Sequence, residues 1–221
     1  MGDVERFIDG FRRFQSRLYG DNVRLAAKLK KGQNPKVLVI SCSDSRVDPA
    51  HLTDCAPGDI FTVRNVANLV PPYQPDSSYH GVSAALEYAV CILQVEDIIV
   101  LGHSRCGGIE GLLSAADGEM VGEFIGHWVD IAAEARTRAM ARVAAGSAEE
   151  LSCACEQESI LTSLQNLQTF PWLQKRVEAG SLELHGWYFQ IESGRLLGYR
   201  RETDRFEPLV ADHLSSGSTF E

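Results

Sequence analysis

Apolar residues early in the chain recur three and four apart, at Val4, Phe7, Phe11, Phe14 and Leu18, the spacing of one stripe along a helix spanning the first thirty residues. Such a stripe either packs on the chain's own core or lies as an arm across a partner subunit. The period then changes. KVLVI at 36–40 is a continuous apolar run rich in β-branched residues, as a strand buried on both faces requires. IIVL at 98–101 is a second run of this kind, and FTV at 61–63 reads as another strand. Between them, 78–93 has helical spacing through Val82, Ala85, Leu86 and Ala89.

Strand, crossover and strand predict a parallel sheet. From about 121 to 178 the pattern is largely helical, with breaks near 144–148 and at Pro171. LELHGWYFQI and RLLGYR, joined around Glu192, Ser193 and Gly194, read as a hairpin. The predicted class is therefore α/β, a central mostly parallel sheet flanked by helices, with an N-terminal helical arm and a C-terminal hairpin strand. No repeat or linker divides the chain, so 1–221 is read as one domain, 1–31 forming the arm and 32–221 the core.

Composition narrows the functional classes. With 44% hydrophobic and 23% charged residues, the chain resembles an ordinary globular protein. A net charge of -9 argues against nucleic acid as the partner, which demands a concentrated basic patch. ARTRAMAR at 135–142 is the one basic cluster, and Arg136 and Arg138 are expected on a solvated helix face. No apolar stretch reaches the roughly 18 residues of a membrane span, and MGDVERFIDGFRRF lacks the apolar centre of a secretory signal. The expectation is a cytoplasmic protein without membrane partners. In that compartment six cysteines read as thiols, metal ligands or catalytic groups before disulfides.

Each long apolar run is followed at once by polar residues, SCSDSR after the first and GHSRCGG after the second. The carboxyl ends of parallel strands meet at one crevice, so Cys42 and the His103/Cys106 pair can converge there. Two thiolates and an imidazole are donors of the kinds zinc takes, and three of them leave a tetrahedral position open for water. Gly107 and Gly108 are expected to open a helix whose first amides favour a thiolate at Cys106. In an extended segment residues 42, 44 and 46 project to one side, which predicts Asp44 beside Arg46, held ionised by the arginine fork. Cys55, Cys91, Cys153 and Cys155 have no comparable setting.

CSDSR at 42–46, RNVAN at 64–68, EYAV at 87–90 and GHSRCGGI at 102–109 together resemble the β-class carbonic anhydrases. The likeness runs from KGQNPK at 31–36 to HGWYF at 185–189. It implies one zinc ion per chain on Cys42, His103 and Cys106, an Asp44–Arg46 dyad orienting a zinc-bound hydroxide, and reversible hydration of carbon dioxide to bicarbonate. It also implies a homodimer, often paired into a tetramer, in which Gln33 reaches a neighbouring site. Phe61, Val66, Tyr88 and Gly107 fall at its substrate-binding positions. In a closed state of some members the aspartate becomes a metal ligand, here Asp44. A bicarbonate pocket away from the metal, found in a subset, is not expected: its tryptophan and tyrosine positions hold Val39 and Phe189, and only Arg64 is kept. Activity near neutral pH is therefore expected. The alternatives are hydrolysis of carbon disulfide or carbonyl sulfide on the same donors, and a non-catalytic zinc-stabilised binding protein closed by Asp44.

Overall fold

The computed structural model describes residues 2–115 and 122–211, so the first residue of the predicted 121–178 helical region lies outside the described residues. Among the described residues six strands form one sheet: β1 (Val37–Cys42), β2 (Ile60–Asn65), β3 (Asp97–His103), β4 (Glu183–Gln190), β5 (Arg195–Arg200) and β6 (Arg205–Pro208). Their order is β2-β1-β3-β4-β5-β6. The first four are parallel, and the last two add antiparallel. The expected hairpin is β4–β5, but β4 also pairs with β3, which makes the hairpin an extension of the sheet.

Alternation along β1 and β3 divides the core. Leu38, Ile40, Ile98 and Val100 face one side, where Leu86, Ile160, Leu164 and Leu167 cover them. Val39, Ile99 and Leu101 face the other, with Trp187 and Phe189. The first side is covered chiefly by α4 (Gly81–Glu87) and the twenty-residue α8 (Ala148–Leu167). Ser147 starts α8 with a capping box, donating and accepting against Glu150. α8 sits close because two strand residues beneath it have no side chain. A Cβ on Gly102 would lie 2.7 Å from Ile160 Cδ1, and one on Gly186 would lie 3.0 Å from Ile160 Cγ2.

Around this frame α3 (Pro49–Leu52) follows β1, α5 (Gly107–Ser114) follows β3, and α6 (Ile125–Val129) and α7 (Ala133–Arg142) precede α8. α9 (Pro171–Glu178) restarts with proline at its first turn, where a missing N–H costs nothing. Arg136 and Arg138 are half-buried, not solvated. Arg138 donates to Glu158 at 2.8 Å and to Thr162 at 2.7 Å, and Arg136 to the Leu112 carbonyl at 3.1 Å. The basic run fastens α7 to α8 and to α5, because a half-buried guanidinium requires acceptors.

The N-terminal stripe forms as expected in α1 (Asp3–Gln15), which continues through a π-helical turn into α2 (Val23–Leu29). Among the described residues, only its far end packs on the chain's own core. Leu18 is buried, whereas Val4, Phe7 and Phe11 are 70%, 65% and 60% exposed. The reading in which the whole stripe covers its own core does not hold.

Candidate metal centre

Cys42 ends β1, His103 ends β3, and Cys106 is the N-cap of α5. All three are buried, and their donor atoms lie within 4.8 Å of one another. The sulfurs of Cys42 and Cys106 are 3.9 Å apart. His103 Nδ1 stands 2.9 Å from the Ser104 carbonyl, which can only accept, so Nδ1 carries the hydrogen in the neutral ring. Nε2 is left with a lone pair beside the sulfurs and has no hydrogen-bond partner among the described residues. A buried nitrogen without a partner beside two thiols is what a soft, tetrahedral cation such as zinc would satisfy.

The thiols themselves are coupled. Cys42 is lowered, chiefly by its hydrogen bond with the Cys106 thiol. Cys106 is pushed up, first by that same hydrogen bond and then by burial, although the Gly108 and Ile109 amides of α5 pull it down. Burial draws His103 down, but the neighbouring Cys42 sulfur and the Ser104 carbonyl outweigh that and leave it raised. Two like charges resist forming side by side in an apolar setting, and a divalent cation removes that resistance.

Asp44 and Arg46 meet as expected, though by a different device. β1 ends at Cys42, so a turn rather than strand alternation brings 42, 44 and 46 together. The Asp44 amide donates to Cys42 Sγ at 3.4 Å, and the Arg46 amide to Asp44 Oδ1 at 2.9 Å. The guanidinium then grips both carboxylate oxygens, Nε to Oδ1 at 3.0 Å and an Nη to Oδ2 at 2.7 Å. That fork holds the Asp44 carboxyl well below the usual carboxylate range.

Arg64 builds the turn from the other side, donating to the carbonyls of Cys42, Asp44 and Val47 at 3.0, 2.7 and 2.9 Å and to Asp48 at 3.2 Å. Val39 and Phe189 belong to one apolar cluster. The single polar group kept at the bicarbonate-pocket positions is thus committed to supporting the loop that follows Cys42.

The remaining predicted residues separate into two sets. Val66 lies beside the centre: a Cβ on Gly108 would meet its Cγ1 at 2.7 Å, and the Trp128 indole donates to its carbonyl at 2.7 Å. With Phe124, Ile125 and His127, Val66 lines an apolar groove of about 540 Å³. Gly107 opens α5, and a Cβ there would meet no atom within 4 Å. By contrast, Phe61 pairs in register with Leu38 and stacks on Tyr88 with ring centroids 5.9 Å apart. Leu38 lies four residues, about 13 Å, before Cys42 along the strand. Gln33 is exposed in the loop before β1, further still from Cys42.

Two carboxylates escaped the sequence reading. Glu192 accepts from the Ser104 hydroxyl at 2.7 Å and pairs with Arg105, which adopts φ +55° between the two donors of this loop. Glu156, only 3% exposed, accepts from the Cys106 amide at 3.1 Å and from the Tyr188 hydroxyl at 2.6 Å. The signal for Glu156 lay in its company: Cys155, Ser159, Ile160 and Ser163 mark the buried side of α8.

A parallel sheet whose strand ends gather two cysteines, a histidine and an arginine-held aspartate presents a candidate metal site of the kind a lyase uses. Residues 37–196 match the carbonic anhydrase family profile. Beta carbonic anhydrase 3 of Arabidopsis thaliana is 40% identical over 193 residues, 86% of this chain and 74% of that protein. A carbonic anhydrase of Synechocystis sp. is 37% identical over 196 residues, 89% and 71% of the two chains. The solved β-carbonic anhydrase CcaA superposes with a TM-score of 0.88 at 36% identity, covering 94% of this chain and all of that one. The chain belongs to the β-carbonic anhydrase family, whose general reaction is carbon dioxide hydration.

Proposed function

We propose that the chain binds one zinc ion through Cys42, His103 and Cys106 and catalyses the reversible hydration of carbon dioxide to bicarbonate and a proton. The observation that carries this reading is the unpartnered His103 Nε2 held with two buried sulfurs while Asp44 is held by Arg46. Bound there, zinc would lower the pKa of a coordinated water to about 7 and so supply the nucleophile near neutral pH. Asp44, gripped on both oxygens and ionised, serves as an acceptor that orients an O–H group at the open position. Arg46 also donates to the Arg105 carbonyl at 3.0 Å, which ties the dyad to the loop carrying Cys106. Val66 and the apolar groove favour an uncharged substrate over water.

Gln33, Phe61 and Tyr88 stand too far from their own chain's metal donors to touch the same substrate. They act on a neighbouring subunit's site, in a homodimer or dimer of dimers held in part by the exposed face of α1. Tetrameric β-carbonic anhydrases of Sordaria macrospora, one of which matches at a TM-score of 0.79 and 28% identity, are consistent with such pairing. F7D/F11D is expected to shift the protein toward monomer in sedimentation and to lower turnover with it. An unchanged oligomer would remove α1 from the interface.

The direct test is stopped-flow carbon dioxide hydration at about pH 7.5 and about pH 9, with zinc per chain measured in the same sample. Activity at both values with one zinc per chain supports the open site. Activity only at the higher pH indicates Asp44 on the metal. Full zinc without hydration at either pH excludes the reading in favour of a sulfur substrate or a non-catalytic role.

A further inference from the structure

The Cys106 amide lies at a helix N-cap, outside the hydrogen-bond ladder of α5, so the fold must supply its acceptor. Glu156 supplies it from α8, fifty residues away in sequence. Its second oxygen takes the Tyr188 hydroxyl, and Ser152 approaches the first at 3.4 Å. Tyr188, also buried, is the register partner of Gly102, the residue before His103. One carboxylate therefore joins the chain at Cys106 to the strand lying against His103.

Both principal partners of Glu156 are donors, one directed at each oxygen, an arrangement suited to a group that accepts on both sides. The other buried side of the Cys106 loop is held through Ser104, whose hydroxyl accepts from the Ile191 amide at 2.9 Å and donates to Glu192. Of the two carboxylates, only Glu156 contacts the backbone of a metal donor itself.

We infer that Glu156, braced by Tyr188, is a positioning residue that fixes the direction of the Cys106 sulfur and thereby sets the metal affinity of the centre. The inference rests on Cys106 being a metal donor. It follows from the geometry of the loop: the amide, Cα and sulfur of Cys106 turn together, so releasing the amide frees the sulfur to rotate. Outer partners of metal ligands typically change affinity by about 10–100-fold when removed.

The test uses the full chain loaded with zinc. Zinc affinity is measured by chelator competition for wild type, E156A, E156Q and Y188F, and the visible spectrum of each cobalt-substituted protein reports the cobalt–thiolate geometry. E156A is expected to bind zinc about 10–100-fold more weakly with a shifted cobalt spectrum. E156Q, which keeps one acceptor oxygen, should fall between it and wild type, and Y188F should show a smaller shift in the same direction. Circular dichroism establishes that each variant is folded; if E156A is not, the other two variants decide. Folded E156Q and Y188F with wild-type affinity and wild-type cobalt spectra would overturn the inference while leaving the zinc site intact. A wild-type protein that binds no zinc would overturn the metal reading itself.

Discussion

The two ends of the parallel strands carry similar donor chemistry and opposite solutions to it. At the carboxyl ends, Cys42, His103 and Cys106 are buried and His103 Nε2 has no hydrogen-bond partner among the described residues. Near the amino ends, Asp97, Glu183 and His185 also bring three donor atoms within 4.8 Å. There the histidine is already satisfied: His185 Nε2 lies 2.8 Å from Asp97 Oδ1, and Glu183 is largely exposed. Register accounts for the cluster, since Asp97 faces Glu183 directly and His185 follows two residues later on the same side. Proximity of donors is common to both ends. What distinguishes the candidate metal centre is burial, an unanswered lone pair, and supporting bonds from Arg64, Glu156 and Glu192.

The largest expected effect breaks that distinction outright. C106S or H103A should abolish stoichiometric zinc binding and reduce hydration to background, read by metal analysis and stopped flow; retained zinc would show that the centre is not where the donors converge. Stripping zinc from the wild type should lower its unfolding temperature, because a ligand bound only by the folded state stabilises it by mass action.

Next comes the dyad. D44N and R46A should each retain one zinc yet lose about 100-fold in turnover, and loss of zinc in either would move Asp44 into a structural role. The pH dependence of folding sharpens the point. Asp44 has a folded-state pKa below its unfolded value, so its contribution is fully present above the unfolded pKa of about 3.9 and fades as pH falls below it. Urea unfolding should therefore show a constant difference between wild type and D44N through neutral and mildly acid pH, narrowing in stronger acid. A difference that narrows already near neutrality would contradict the depressed pKa.

The smallest effect is at the opposite strand ends. H185A and D97N should leave zinc stoichiometry and turnover at wild-type values, and a second bound zinc lost on either substitution would erase the contrast.

How much of this was readable without coordinates follows from the distances involved. The convergence of Cys42, His103 and Cys106 was legible because Cys42 and His103 lie at the ends of apolar runs, Cys106 follows three residues after His103, and strand ends converge by topology alone. The Asp44–Arg46 contact was legible for a partly mistaken reason, since neighbours in sequence meet whether the backbone is extended or turned. β6 was missed because RFEP is short and carries two charges among its four residues. Glu156 was missed because its role depends on which face of α8 meets the sheet, and its two partners lie 50 and 32 residues away. Arg136 and Arg138 misled for the same reason: a run of charge looks solvated until its acceptors on other elements are placed.

Gly102 and Gly186 give this architecture a depth setting. They form a shallow hollow into which Ile160 fits, one helical turn beyond Glu156. The stand-off between α8 and the sheet is consequently gauged by two missing methyl groups. A single carbon added at Gly102 would act as a shim, raising the helix and drawing the Glu156 carboxylate away from the Cys106 amide, so that a change in the floor of the sheet would be registered at the metal.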